Sequence, residues 1–218
     1  MPARPLPSPP RARSPLAIAL ALTATLAACE RRIEEPEPVA RERVVDPSAL
    51  GATGGKAPAP KRCIRATPDK PARLLSPDQK IPDPTCPKDP SGPFTMRTGT
   101  VSFPEAGDAS VSVEVAEKEA ERTRGLMYRR RMLDDMGMIF VFAERENHQF
   151  WMHNTCIPLD MLFIDDDGLI VGIQENVPTM DDSTFEVGCP SKYVLEVNAG
   201  WTRKHGVRAG QKVKLEGI

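Results

Sequence analysis

The sequence predicts a mainly β domain, a small antiparallel β-sandwich or partly open barrel with two short helices, behind an export signal and a proline-rich spacer. Three observations carry this reading. Of the 23 prolines, 19 precede Met96, and the first aromatic residue of any kind is Phe94. Beyond Met96, short runs either alternate apolar with polar residues or are apolar throughout. A stretch with many prolines and no Phe, Tyr or Trp cannot bury enough apolar surface to offset the entropy of ordering it. The folded part is therefore expected over 96–218, room for one domain with a modest core. With 29 Lys+Arg against 30 Asp+Glu the net charge is −1. That balance offers no cationic excess for phosphates, so nucleic acid is not an expected partner.

Residues 1–28 read as a lipoprotein signal peptide. Arg4, Arg11 and Arg13 form a positive start, and the apolar run from Leu16 to Ala28 is too short to span a bilayer, which takes roughly 20 residues. Leu26-Ala27-Ala28-Cys29 resembles the bacterial lipobox, in which the cysteine is acylated and becomes the first residue. Two or more acyl chains anchor a protein stably. Cys29 is thus the expected lipidation site, the membrane the expected partner, and the cell envelope the expected location. Residues 29–95 follow as a mostly disordered spacer, with Glu34-Glu35-Pro36-Glu37-Pro38 and Lys56-Ala57-Pro58-Ala59-Pro60 favouring extended segments.

Within the domain, Ser110-Val111-Ser112-Val113-Glu114-Val115 puts three valines on one strand face. Met138 to Phe142 is apolar throughout, which suits a strand covered on both sides. Gln149 to His153 reads as the next strand. Met161 to Ile164 and Leu169 to Ile173 flank Asp165-Asp166-Asp167-Gly168, whose Asp-Gly signals a hairpin turn. Tyr193 to Val197 and Lys212 to Leu215 complete the strands. Helices are expected from about Lys118 to Arg124, stopped by Gly125, and from about Ala199 to Lys204, stopped by Gly206.

Five cysteines less an acylated Cys29 leave Cys63, Cys86, Cys156 and Cys189, and an exported chain meets an oxidising compartment. Three pairings are open. The expected one keeps each bridge within a segment, Cys63–Cys86 in the spacer and Cys156–Cys189 in the domain. Those loops of 24 and 34 residues are worth about 3.5–4 kcal/mol each in the chain-entropy model. The rival reading makes Cys156 a nucleophile beside His153.

Four ordered motifs stand out: Glu121 to Met127, Gly137 to Phe142, Phe150 to Asp165 and Tyr193 to Trp201. Together they resemble the DUF192 family, a domain of unknown function, over about residues 98–216. The resemblance implies a small, mostly β domain, often exported or lipid-anchored, with no agreed activity.

The longest motif is densest in chemistry. On a strand, Phe150 and Met152 would point one way, Trp151 and His153 the other. Asn154, Thr155 and Asp160 surround Pro158, which a structured turn explains through local hydrogen bonds. The functional alternative is a ligand site with Trp151 as apolar platform and Asn154, Thr155, Asp160 and Arg122 as polar anchors, suited to a glycan or a peptide. A carboxylate pair, Asp160 with Glu175 or Glu196, would instead suit acid–base work in a hydrolase. A purely structural envelope module would bury Trp151 fully. The acidic run at 165–167 lacks the spacing of a Ca²⁺ loop. Met132, Met136, Met138 and Met152 hold no regular ligand face for copper. No cofactor and no metal are therefore expected, and binding is favoured over catalysis.

Overall fold

Val111, Val113 and Val115 are all buried, as their alternate spacing requires of one face of a strand. A computed structural model describes residues 62–76, 78–92 and 95–218, which lie within one unit, Ala57–Ile218. The expected signal peptide and the expected lipidation site Cys29 lie outside the described residues. The elements run β1 (Thr98–Phe103), β2 (Ala109–Ala116), α1 (Glu119–Arg124), β3 (Met136–Glu146), β4 (Leu159–Ile164), β5 (Ile170–Val177), β6 (Ser191–Asn198), α2 (Trp201–Lys204) and β7 (Lys214–Glu216). They form one seven-stranded sheet in the order β5-β4-β6-β3-β2-β1-β7. All neighbours pair antiparallel except β2 with β3, a parallel pair whose crossover carries α1. That crossover is the topological reason a helix sits beside this sheet.

The sheet curls until its two edges meet at one end. Leu169 bridges Lys212, Val213 N–H donates to the Gly168 carbonyl at 2.9 Å, and Ile170 N–H donates to the Gln211 carbonyl at 3.0 Å. Of the two expected architectures this is the partly closed barrel. Gly168 permits the closure: its φ is +80°, and a Cβ there would stand 2.6 Å from the Val213 carbonyl oxygen.

Each face of the sheet has its own core. Inside the curl, Phe103, Val113, Ile139, Leu162, Leu195 and Val197 pack together with Trp201 of α2. On the outer face, Met138, Phe140, Met161, Phe163 and Val194 pack under Met152, Ile157 and Phe185 from two connecting segments. Residue parity assigns neighbours in a strand to opposite cores, and that is why Met138–Phe142 is apolar throughout. Met138, Met152 and Met161 are fully buried in the outer core, where flexible side chains fill irregular space.

Two expectations need correction. Gln149 to His153 is not a strand: it makes one bridge, Phe150 to Phe185, and then turns at Asn154, whose φ is +54°. The cysteines pair Cys63–Cys189 and Cys86–Cys156, not Cys63–Cys86 and Cys156–Cys189. Both bridges therefore tie spacer to domain, which removes Cys156 as a free nucleophile. Loop closure grows only logarithmically with length, so nothing in the spacing favours the shorter loops strongly enough to decide.

Residues 62–76 and 78–92, read from composition as spacer, run along the domain as a strap without helix or strand. Arg65 N–H donates to the Val171 carbonyl at 2.8 Å, Asn176 Nδ2 to the Arg73 carbonyl at 2.8 Å, and Asp83 N–H to the Cys156 carbonyl at 2.8 Å. The first of these occupies part of the exposed edge of β5, a position otherwise open to unwanted strand pairing.

Candidate functional site

A cavity of about 330 Å³ opens on the outer face between α1, β3, β6 and the segment around Phe150. The end of α1 and its following turn supply Arg122 to Met127 as one wall, and β3 supplies Phe140 and Phe142. Phe150, Trp151 and Thr155 come from the loop that failed to become a strand. Because that loop bridges once and then turns, Met152 enters the core while Trp151 stays 50 % exposed at the cavity. Trp151 stacks on His153 with centroids 4.9 Å apart, and His153 Nδ1 lies 2.6 Å from Asp182. Phe150 meets Phe140 edge-on at 4.9 Å and Phe142 edge-on at 6.2 Å, so the aromatic walls are mutually braced.

Glu196 also lines this cavity. It sits on β6 opposite Met138 of β3 and Met161 of β4, and only 4 % of it is exposed. Its carboxyl has no hydrogen-bond or ion-pair partner among the described residues. Burial among apolar neighbours pushes its pKa up to about 8, so the free protein at neutral pH holds a carboxylic acid there. An unpartnered buried polar group costs stability, and such groups concentrate where a ligand supplies what the fold withholds.

Arg122 stands on the cavity wall with its Nη1 donating to the backbone carbonyls of Glu117 and, at 3.2 Å, Val141. Its guanidinium lies 5.5 Å from the Phe142 ring centroid. It pairs with no carboxylate among the described residues. Arg124 is tied to the strap through Asp89 and through Ser91 Oγ at 2.6 Å. The helix carrying both arginines is held by Glu121, whose carboxylate accepts the Lys118 and Glu117 backbone N–H groups at 3.0 and 3.1 Å. Those bonds, with the Lys118 ammonium, hold the Glu121 pKa down to about 2.

Of the residues singled out in the sequence, Trp151, Thr155 and Arg122 meet in the cavity, whereas Asn154 and Asp160 do not line it. Asn154 makes a turn, its Nδ2 donating to the Tyr128 hydroxyl at 3.1 Å and its carbonyl accepting from Tyr128 N–H at 2.8 Å. Asp160 is fully buried and accepts four hydrogen bonds, from the N–H groups of Asn176 (2.8 Å), Gly200 (3.1 Å) and Thr202 (3.0 Å) and from Thr202 Oγ1 (2.6 Å). It pins α2 to β5 and has no lone pair left for chemistry. Glu175 faces Arg203 at 2.8 Å, so the carboxylate pair needed for glycan hydrolysis is not assembled. The acidic turn is likewise spoken for. Arg145 Nη2 donates to Asp165 at 2.7 Å and holds that carboxyl below the usual range, while Lys212 Nζ reaches Asp167 at 3.1 Å. The sequence reading named Glu196 only as a possible partner of Asp160. Its signal was a lone acid in an apolar strand run, Tyr193 to Val197.

The model of the DUF192 family, described as an uncharacterized ACR, matches residues 101–215. The chain belongs to the DUF192 family. Solved structures are similar to it, two of them as follows. One is a protein of Sinorhizobium meliloti 1021 provisionally described as a transcription regulator, 38 % identical, covering 58 % of this chain and 100 % of that one, with a TM-score of 0.55. The other is a protein of unknown function from Novosphingobium aromaticivorans, 30 % identical, covering 59 % of this chain and 91 % of that one, with a TM-score of 0.53. No curated protein matches. The region matched to DUF192 holds the whole cavity wall from Arg122 to Glu196, together with Cys156 and Cys189. Cys63 and Cys86 fall before it, so each disulfide joins the DUF192 domain to a strap outside the matched region.

Proposed function

We propose that this domain binds a small organic ligand in the cavity between α1 and β6, and that acylated Cys29 presents it from the bacterial envelope. The observation that carries the binding reading is Glu196: a carboxyl 4 % exposed, without a partner among the described residues, facing a cavity with braced aromatic walls and a half-exposed Trp151. A purely structural module would have buried Trp151 and left no cavity. A hydrolase would have needed a second carboxylate, or a free cysteine with a histidine, at the same place. The description of the Sinorhizobium meliloti protein as a regulator is not carried over, because a net charge of −1 supplies no cationic excess for DNA.

Thermal-shift screening of glycans, short peptides, organic acids and amines tests the binding reading. Ligands of one class are expected to raise the Tm of the wild type and to lose that effect in Trp151→Ala. No response to any class, or responses that Trp151→Ala leaves intact, would count against the cavity. The anchor is tested apart from the cavity: Cys29→Ser is expected to move the protein from the membrane fraction to the soluble exported fraction, and unchanged membrane association would refute acylation at that residue.

A further inference from the structure

We infer that the ligand of this cavity carries a carboxylate on an apolar or aromatic body. The inference rests on the cavity being a ligand site, as proposed above, and on two groups that the fold leaves incomplete in opposite ways. Arg122 donates only to backbone carbonyls, so its positive charge has no counter-charge among the described residues. Glu196 lies desolvated opposite Met138 and Met161 with no acceptor for its proton among the described residues. A ligand carboxylate completes both. It accepts the Glu196 O–H as a charge-assisted hydrogen bond, among the stronger kinds in a protein, and it compensates Arg122.

The competing chemistries fit less well. An ammonium would have to gain its counter-charge by stripping the proton from Glu196 in an apolar setting, and would enter a cavity that already carries the Arg122 guanidinium. A neutral sugar would satisfy Glu196 and leave Arg122 uncompensated. The edges and faces of Phe140, Phe142, Phe150 and Trp151 call for an apolar body beside the anion, and about 330 Å³ sets its size at a phenyl ring with a short chain.

Arg122, Arg124 and Glu196 are the ionisable groups that line the cavity. His148 stacks on Phe142 with centroids 3.6 Å apart, and burial pushes it towards its neutral form. The strands on either side of Glu196 present methionines. The pH dependence of binding in the alkaline range therefore belongs to Glu196.

Calorimetric titration of the full chain with 3-phenylpropanoate, 3-phenylpropylammonium and 3-phenylpropanol separates the possibilities. At about pH 6.5 the carboxylate is expected to bind at least about tenfold more tightly than the other two. At about pH 9.5 its affinity is expected to fall by at least about tenfold as Glu196 loses its proton and repels it. In Glu196→Gln, whose amide donates at every pH, that dependence disappears. Arg122→Met is expected to weaken binding by about tenfold or more, and Arg122→Lys, which keeps the charge, to recover part of the loss. Tighter binding of the amine or the alcohol overturns the ligand class and leaves the cavity as a site. Binding by none of the three overturns the cavity reading with it.

Discussion

Glu196→Gln is expected to unfold at the same temperature as the wild type near pH 4 and at a clearly higher one near pH 8. The cause is linkage. In the unfolded chain this carboxyl ionises with a pKa of about 4.5, whereas in the fold burial raises it to about 8. Between those values the native state keeps a proton that the unfolded state has released. Glu196 therefore costs no stability below about pH 4.5, and its ionisation in the unfolded chain costs progressively more as the pH rises towards 8. A shift of this size corresponds to a loss on the order of 4 kcal/mol, or roughly 10 °C in Tm for a domain of this length. Glutamine cannot ionise, so the variant escapes the loss. Melting curves of both proteins from pH 4 to 9 measure it as the gap between two lines. Parallel lines would mean that Glu196 is solvated or partnered in solution, and would remove the central feature of the site. The wild type gives up stability at neutral pH to keep an acid in an apolar cavity, a pattern of groups kept for binding rather than for folding.

The second large effect is expected from Cys86→Ser combined with Cys156→Ser. The bridge closes a sequence separation of 70 residues, which the chain-entropy model values at about 4 kcal/mol. The strap contributes no helix or strand, and Cys63–Cys189 holds only its other end. Near the Cys86–Cys156 bridge its remaining ties are the Arg124–Asp89 ion pair and hydrogen bonds from Asp83 N–H to the Cys156 carbonyl, Thr179 Oγ1 to Asp83 at 2.7 Å, Arg124 to Ser91 Oγ at 2.6 Å and Arg130 Nη2 to the Cys86 carbonyl at 3.2 Å. A drop in Tm of roughly 10 °C is expected, with release of the strap around Cys86, residues 78–92, read as faster amide exchange. Because Cys156 follows Thr155 of the cavity wall, the variant should also bind any cavity ligand more weakly. Peptide mapping without reduction checks the premise, since it must recover Cys63 joined to Cys189 and Cys86 joined to Cys156. A drop of only a degree or two would show that the strap's hydrogen bonds hold it without the bridge.

Much of the barrel was legible because its signals are local. The valines of β2, the doubly apolar β3 and the Asp-Gly turn between β4 and β5 each write their environment into adjacent residues, and each was found within a few positions of its true bounds. The strand β1 was not, because Thr98-Gly99-Thr100 lacks apolar alternation. Its glycine is there for a neighbour distant in sequence: a Cβ on Gly99 would stand 2.7 Å from the Glu216 carbonyl oxygen of β7. The segment from Gln149 to His153 misled for the same reason in reverse. Its alternation is real, since Met152 is buried and Trp151 exposed, but among the described residues no strand lies beside it to complete a ladder beyond Phe150.

The sequence by itself determined that the later part of the chain is a mainly β domain, that its motifs are those of DUF192, and that Trp151, Thr155 and Arg122 deserved scrutiny. The β character follows from side-chain alternation, which acts over a few residues, and the family resemblance and the residues of interest from four ordered motifs. Only the tertiary structure decided which cysteines join, which of Asn154, Asp160 and Glu196 faces a cavity, and which is consumed by backbone. Those outcomes depend on pairings between residues tens of positions apart, such as Asp160 with Thr202 and Cys63 with Cys189. Asp160 and Glu196 are both acids in apolar strands and look alike in one dimension. Among the described residues four donors surround the first and none the second, and that difference in hydrogen bonding makes one a structural pin and the other the centre of the candidate site.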